Sequence, residues 1–561
     1  MVSDEPEPGR GLLTWRSGIL LAALTIACLV PFCEKAFHID DTLFVWIAQH
    51  IVKHPLNPYG FDANWYLTPM PMSQITKNPP LASYYSAAIG AVAGWSELVL
   101  HLAFVPLAIV VVVGTGLLAR RFTRSPAIAA AATLLAPGFL VSSTNVMCDT
   151  MMLALWIVTL ILWLEGLERK NPILLASSGL AVALCVLTKY FGVALIPLLL
   201  LYSILRHRRL TREVSYLLIP IVILAGYQYW THTVYHQGLV TDAADYALQA
   251  KSSGRISALL IGLSFAGGCA LPAITFIPAL WSRRAICIGA LLTVAAGLYC
   301  AAGEVVTPSE LAREHWNVVS FQFALFAAGG IGILSLAVSD WWKRKDADSL
   351  LLMLWVLGTF AFATLFNWTV SARSVLPLIP ATGILLARRI DRIGALSFRA
   401  MAAKVALPLA LAGIVALWVA TGDAKLAGSA RRAAEYMRDQ SGIKSADSTF
   451  QGHWGFQYYM QSFGFRPTDF SANKIRAAEF LVIPGTNTNT QDVLPQFVAA
   501  RKVVTFDADA GVSTMSNRMG SGFYSDIWGP LPYSFGSVPP ERYTIVKIGL
   551  PANQAQQIQN R

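Results

Sequence analysis

Residues Gly18–Asp41 read GILLAALTIACLVPFCEKAFHIDD: an apolar run, a short polar turn, then two adjacent aspartates. The run is nearly long enough to span a bilayer with help from its flanks, since a span takes about 20 apolar residues. Carboxylates just beyond hydrocarbon cost little if solvated, but two in a row gain nothing by facing lipid. A pair of candidate general bases beside a membrane points to chemistry on a substrate that the membrane presents. Comparable apolar runs follow at Val99–Leu118, Ile128–Val141, Met151–Leu164, Val318–Val338, Leu350–Trp368 and Val405–Val419, among others. The pattern predicts a polytopic α-helical membrane protein with about thirteen spans.

Composition agrees. Of 561 residues, 55% are hydrophobic and 13% charged, too apolar for a soluble chain of this length. A net charge of +11 could suit nucleic acid, but its distribution argues otherwise. Clusters such as Arg120-Arg121-Arg124, Arg206-His207-Arg208-Arg209-Arg212, Lys343-Arg344-Lys345 and Arg388-Arg389-Arg392 occupy alternate short connections, as cytoplasmic loops do. That alternation puts the N-terminus inside, Asp40-Asp41 outside and the chain after Val419 outside again, in the plasma (cytoplasmic) membrane. The acidic opening (Asp4, Glu5, Glu7), with no small-residue cleavage motif after the apolar stretch, argues against a cleavable signal. The expected division is a cytoplasmic tail over 1–16, a membrane domain over 17–421 and an extracytoplasmic domain over 422–561.

Within the membrane domain the first outer loop, about 34–97, is long for a connector. Leu43, Phe44, Ile47 and Ile51 recur at helical spacing there, predicting a helix lying in the membrane interface. Leu81–Val92 reads as a second short helix behind Pro80. After residue 422 hydropathy drops. Arg431–Gln440 looks helical, and Phe480–Ile483, Lys502–Phe506 and Tyr543–Ile548 look like short strands, predicting a small α/β domain. All seven cysteines precede residue 420, so this domain has no disulfide, and no Cys/His cluster has metal-ligand spacing.

The candidate functional residues each have a bland alternative. Asp40 or Asp41 can simply cap the helix that follows, since Asp is favoured there. Lys77 can be a solvated loop lysine. Lys189 ends an apolar run at the outer side with little loop to carry it into water, so it either snorkels or faces a cavity. Asp149, after Asn145, heads a span and can cap it. Glu97 and His101 share a helical face and suit an intrahelical pair. Arg255 and Arg373 are cations near the outer surface that can bind lipid headgroups instead of substrate. His453-Trp454 with Tyr458-Tyr459 can stack on sugar, though a domain core explains them more simply.

Taken together, Asp40-Asp41, Lys77-Asn78-Pro79-Pro80-Leu81, Asp149, Leu187-Thr188-Lys189 and Arg373-Ser374-Val375-Leu376-Pro377 occur in an order that resembles a known superfamily. It comprises the integral-membrane glycosyltransferases that use polyprenyl-phosphate sugars, the protein O-mannosyltransferases and lipid A aminoarabinose transferases. The resemblance covers about residues 17–390. It implies a C-type glycosyltransferase fold, a lipid-phosphate sugar donor, a lipid, glycan or protein acceptor, and inversion at the anomeric carbon. By the same resemblance Asp40 is the base, Asp41 supports it or orients the helix, and Lys77, Lys189 and Arg373, with Asp149, belong to the donor-binding set. Members often carry an acidic residue before Lys-Pro-Pro, where this chain has Thr76, which weakens the case for a metal between that loop and the acidic pair. No cofactor is specified, and a divalent cation is left as an open alternative. Two other readings stand beside this one. A secondary transporter would carry ionisable groups near the midplane and show internal repeats, and a non-catalytic envelope-assembly protein could keep the same fold.

Overall fold

A computed structural model describes residues 13–249, 254–303, 315–393, 398–470 and 479–549. Among these, nine helices are long and apolar enough to cross a membrane, from Trp15–Phe32 through Arg399–Asp439, with shorter apolar helices at Leu81–Ala93, Pro172–Thr188 and Ile256–Cys269. Ile128–Val141, expected as one run, is broken into Pro126–Leu134 and Pro137–Ser142, because Pro137 cannot donate to the preceding turn. Many large side chains on the spans face outward, including Ile288, Leu291 and Leu292 on Arg283–Gly303. In water such a surface would be a liability; against lipid tails it costs nothing. The chain is a multi-pass membrane protein.

One helical hairpin sets the level of the site. The helix Cys148–Arg169 ends at Lys170 in the left-handed conformation, and Asn171 caps the next helix by accepting from the Ile173 and Leu174 amides. Pro172 sits at its first turn, where a missing N–H is harmless. Gly166 lets the two helices close, since a Cβ there would lie 2.9 Å from the Leu175 side chain. The return helix Pro172–Thr188 then delivers Lys189 back to the level of Asp149. At the far end of the first helix, about 30 Å away at about 1.5 Å per residue, Glu168 pairs with Arg121, which also pairs with Asp348. Arg388, Arg392 and Arg344 gather on Asp340 at the corresponding helix ends. The arginine-rich connections therefore occupy one end of the bundle and Asp149 the other.

The helix Asp41–Lys53 forms as its periodicity indicates, but its apolar face is not laid in lipid. Leu43, Ile47 and Ile51 are buried against Tyr59, Trp65, Met72 and Ile75 from the rest of the loop. The loop supplies its own cover through the short ladder Asp62–Asn64 with Pro69–Pro71, so the expected interfacial helix is a protein-packed one. Leu81–Ala93 also forms where expected.

The helix Leu407–Asp439 leaves the bundle and continues without a break past residue 421 into the C-terminal region. Its C-terminal part, with Ala433, Ala434 and Met437, packs beneath a five-stranded sheet ordered Arg466–Pro467, Ser448–Phe450, Phe480–Pro484, Glu541–Ile548, Val498–Phe506. The first two neighbouring pairs are parallel and the last two antiparallel, with Ile545 opposite both Val482 and Lys502. All three strands read from the sequence lie in this sheet. The segment between its last two strands does not stay with it: Val512, Met515, Phe523, Tyr524, Leu531 and Tyr533 are buried in the core of the membrane bundle.

Candidate active site

Six consecutive residues leading into the helix Cys148–Arg169 organise the site. Thr144 and Asn145 accept hydrogen bonds from Lys35 Nζ, at 3.3 and 2.5 Å. The Val146 amide donates to Asp41 Oδ1 at 2.8 Å. Met147 Sδ lies 3.1 Å from Arg373 Nη1, the Cys148 thiol donates to Asn78 Oδ1 at 3.7 Å, and Asp149 Oδ1 lies 2.5 Å from Lys189 Nζ. One turn thus touches the segments of Asp41, Asn78, Lys189 and Arg373. It can do so because a chain entering a helix has its amides and alternating side chains still unspent.

The two aspartates have different surroundings. Asp40 begins the helix but makes no side-chain capping bond; its Oδ2 accepts from Arg373 Nη1 at 2.9 Å, and about a quarter of its side chain is exposed. Asp41 is fully buried and accepts from the His38 amide at 2.9 Å as well as from Val146. Neither aspartate caps the helix that follows: Asp41 binds two backbone amides outside it, and Asp40 turns to Arg373. Ile39, just before them, has φ of 47°, a left-handed conformation costly for a β-branched residue. Burial of its side chain holds it there, which fixes the direction in which Asp40 points.

Burial pushes the Asp41 carboxyl up to about 7, against Lys35 and the two amides, which favour the anion. The sign follows: a carboxyl with a raised folded-state pKa contributes stability that is full below its unfolded value and is lost as pH rises through about 7. Melting of the purified protein from about pH 4 to about pH 8 should therefore show a downward slope that Asp41→Asn flattens; parallel curves for the two proteins would remove Asp41 from this account.

The three cations are each matched to a carboxylate. Lys189 pairs with Asp149, whose side chain is nearly inaccessible, and Arg373 pairs with Asp40. Lys77 pairs with Asp242 at 2.6 Å, in the first turn of the helix Leu239–Gln249, a partner that the sequence did not single out because an acidic residue there looks like any solvated one. Lys77 also sits over the Tyr246 ring, 5.5 Å from its centre. Asn78 is held from behind by the buried Tyr59, whose hydroxyl donates to its carbonyl at 2.8 Å. Burial opposes the Arg373 cation, but Asp40, with Asp149 behind it, outweighs that and holds its pKa above the ordinary value. Its Nε–H is buried with no hydrogen-bond partner among the described residues.

A second, fully buried layer lies beneath. Lys35 Nζ is 2.6 Å from Asp423 Oδ2, and Asp423 also accepts from Thr514 Oγ1 at 2.7 Å and Tyr524 OH at 2.8 Å. Sequence reasoning missed this pair, although a lysine soon after the first span and an aspartate just past the last apolar run were signals available to it. Glu97 and His101 do not pair through their side chains. His101 Nδ1 meets the Glu97 carbonyl at 2.7 Å, while the Glu97 carboxylate takes Tyr459 OH and Arg431. His453 stacks on Trp65 with centroids 4.5 Å apart, and Tyr459 also accepts from the Phe37 amide, so the C-terminal aromatic group is packing. The Arg255 side chain lies outside the described residues.

Among the described residues no group of three or more His, Cys, Asp or Glu is placed to hold a metal ion. The site carboxylates are already engaged, Asp40, Asp149 and Asp242 by cations and Asp41 by backbone amides. This donor set does not fit a divalent cation, and no chemical step is assigned to one.

Residues 77–230 match the family model described as dolichyl-phosphate-mannose-protein mannosyltransferase, which bears out the family resemblance over that stretch. No curated protein matches the sequence. Solved structures of similar arrangement include the oligosaccharyltransferase of Archaeoglobus fulgidus tethered with an acceptor peptide containing the NVT sequon, at 13% identity, 81% of this chain, 63% of that one and a TM-score of 0.48. ArnT from Cupriavidus metallidurans bound to undecaprenyl phosphate aligns at 15% identity over 83% of this chain and 93% of that one, with a TM-score of 0.41. The arabinosyltransferase EmbB from Mycobacterium smegmatis aligns at 14% identity over 91% and 48%, with a TM-score of 0.34. The chain spans less than two thirds of the length of the oligosaccharyltransferase.

Proposed function

We propose that this chain is a membrane glycosyltransferase that moves one monosaccharide from a polyprenyl-phosphate donor to an acceptor hydroxyl, with inversion at the anomeric carbon. The observation that carries this reading is the Arg373 guanidinium: charged, largely shielded from solvent, shared between Asp40 and Met147, and with a buried Nε–H that has no hydrogen-bond partner among the described residues. A buried donor without a partner costs about 1–3 kcal/mol, more for a charged group. A phosphate oxygen satisfies it, through the strong charge-assisted hydrogen bonds that arginine makes with phosphate. The family-model match over 77–230 supports a lipid-phosphate sugar as that ligand.

In this mechanism Asp40 takes the proton from the acceptor hydroxyl as its oxygen attacks the anomeric carbon. The bond from that carbon to the phosphate oxygen breaks, and its electron pair leaves on the polyprenyl phosphate. The phosphodiester becomes a monoester and gains negative charge, which Arg373, Lys77 and Lys189 are placed to stabilise. Asp149 and Asp242 hold the lysines in position. Asp41 orients the turn that presents Asp40.

The reading places the site at the outer face of the cytoplasmic membrane, in the loop 34–97 and the helix ends around it. The arginine-rich end of the bundle lies opposite, and basic connections favour the cytoplasm. On this basis residues 1–16 are a cytoplasmic tail, 17–421 the transferase domain and 422–561 an outer region. A reporter that fluoresces only in the cytoplasm should be dark when fused to the C-terminus; bright cells would reverse the orientation.

The direct test is to remove the gene from its source cell and examine lipid extracts and envelope glycans by mass spectrometry. A polyprenyl-phosphate sugar should accumulate and one sugar should vanish from a glycan, lipid or protein, identifying donor and acceptor together. Unchanged lipids and unchanged glycans would refute the assignment.

A further inference from the structure

The segment Val512–Phe535 belongs to the C-terminal region by sequence but to the membrane bundle by packing. Its ends pair with each other, Val512 opposite Phe535 and Ser513 opposite Ser534. The loop between them descends into the core, where Phe523 and Tyr524 are buried. Two backbone bonds clamp this loop to the irregular segment leading into Arg373: Ala372 N to Phe523 O at 2.8 Å and Asp526 N to Val370 O at 2.9 Å.

Between those clamps Tyr524 faces Arg373. The guanidinium carbon lies 5.6 Å from the Tyr524 ring centre, within range for a cation–π contact. The ring cannot swing away. Its hydroxyl donates to Asp423 Oδ2 at 2.8 Å and lies 3.2 Å from Asn145 Nδ2, and its side meets His38 at 5.2 Å, nearly edge-on. Asp423 is fixed in turn by Lys35 and Thr514. A flexible arginine is thus bounded by Asp40 at one edge, Met147 beside it and an immobilised aromatic face.

We propose that Tyr524 is a positioning residue for Arg373, so that the C-terminal segment forms part of the phosphate site instead of merely covering it. This rests on the reading of Arg373 as the phosphate-binding cation. The ring holds the guanidinium plane, and the buried Lys35–Asp423 pair holds the ring. When a lipid phosphate competes with Asp40 for the guanidinium, the Tyr524 face keeps the group from following Asp40.

The test uses the full chain in nanodiscs of phosphatidylethanolamine and phosphatidylglycerol, with undecaprenyl phosphate and uncharged undecaprenol as probes. Tyr524→Phe and Tyr524→Leu both lose the bond to Asp423, so the difference between them isolates the ring. The Phe variant should bind undecaprenyl phosphate within about threefold of the parent, and the Leu variant about tenfold more weakly, with undecaprenol binding equal in both. Equal phosphate affinity in the two variants, or an equal loss for both lipids in the Leu variant, overturns the proposal. If the Leu variant does not fold, Tyr524→Met, closer in volume, replaces it in the same comparison. Arg373→Ala separates the premise from the inference. If it still prefers the phosphate over undecaprenol as the parent does, the phosphate-site reading fails and this proposal with it. If it loses the preference while the Leu and Phe variants match, only the role of Tyr524 fails.

Discussion

Asp40→Asn should abolish sugar transfer while tightening the binding of polyprenyl phosphate. Loss of a positioned general base typically costs about 10²–10⁴ in rate, and an amide cannot take the acceptor proton. The second half of the expectation comes from the ion pair. Arg373 Nη1 is held by Asp40 Oδ2 at 2.9 Å, so an arriving phosphate must compete with a carboxylate for the same cation. Asparagine keeps the shape and an acceptor oxygen but removes that competition. Single-turnover kinetics and lipid binding, measured on the same reconstituted protein, give opposite signs only if Asp40 is both base and counter-ion. Weakened phosphate binding together with lost turnover would mean that Asp40 mainly holds the structure. Full turnover would move the base elsewhere. Asp41→Asn should be milder in rate, within about tenfold, because Asp41 is turned to backbone amides and not to Arg373.

The largest effect on stability is expected at the buried pair beneath the site. Lys35 and Asp423 have no exposed side-chain surface, and each is the other's charge partner at 2.6 Å. Removing one partner strands the other, which costs about 3–5 kcal/mol in comparable buried pairs. Lys35→Met and Asp423→Asn should therefore each sharply lower the folded fraction after a heat challenge, read by size-exclusion chromatography. The double variant Lys35→Met/Asp423→Leu should recover much of the loss, since two matched apolar groups leave no orphaned charge. Singles as robust as the parent would show that water reaches the pair. A double variant worse than either single would show that Thr514 and Tyr524, both bonded to Asp423, depend on its carboxylate more than Lys35 does.

What could be read early and what could not divides along the range of the interactions. The spans follow from local composition, because about 20 apolar residues suffice to cross hydrocarbon whatever their neighbours do. The hairpin that carries Asp149 and Lys189 to one level is nearly local as well: its helix lengths and the Asn171-Pro172 turn fix it. The short strands Phe480–Pro484, Val498–Phe506 and Glu541–Ile548 were legible from alternation and turn residues, but not their order, which brings together pieces separated by intervening chain. The interfacial reading of Asp41–Lys53 failed for a related reason. Periodicity shows that a helix has an apolar face, but not whether lipid or protein covers it.

The sequence by itself determined that this chain spans a membrane many times, where most of its helices run, which of its ends are basic, and that Asp40, Lys77, Asp149, Lys189 and Arg373 were worth attention. These follow from periodicity, residue type and short-range spacing, which act through hydrophobic transfer and local backbone chemistry. Only the tertiary structure decided which carboxylate faces which cation, that Asp41 turns to the backbone while Asp40 turns to Arg373, and that Lys35, Asp423 and Tyr524 lie directly beneath. Each of those contacts joins residues that lie far apart in the chain or depends on which way a buried side chain turns. Charge pairing at 2.5 to 3 Å falls within the last few ångströms of folding, where packing of the whole bundle selects one geometry and a local pattern has nothing to register.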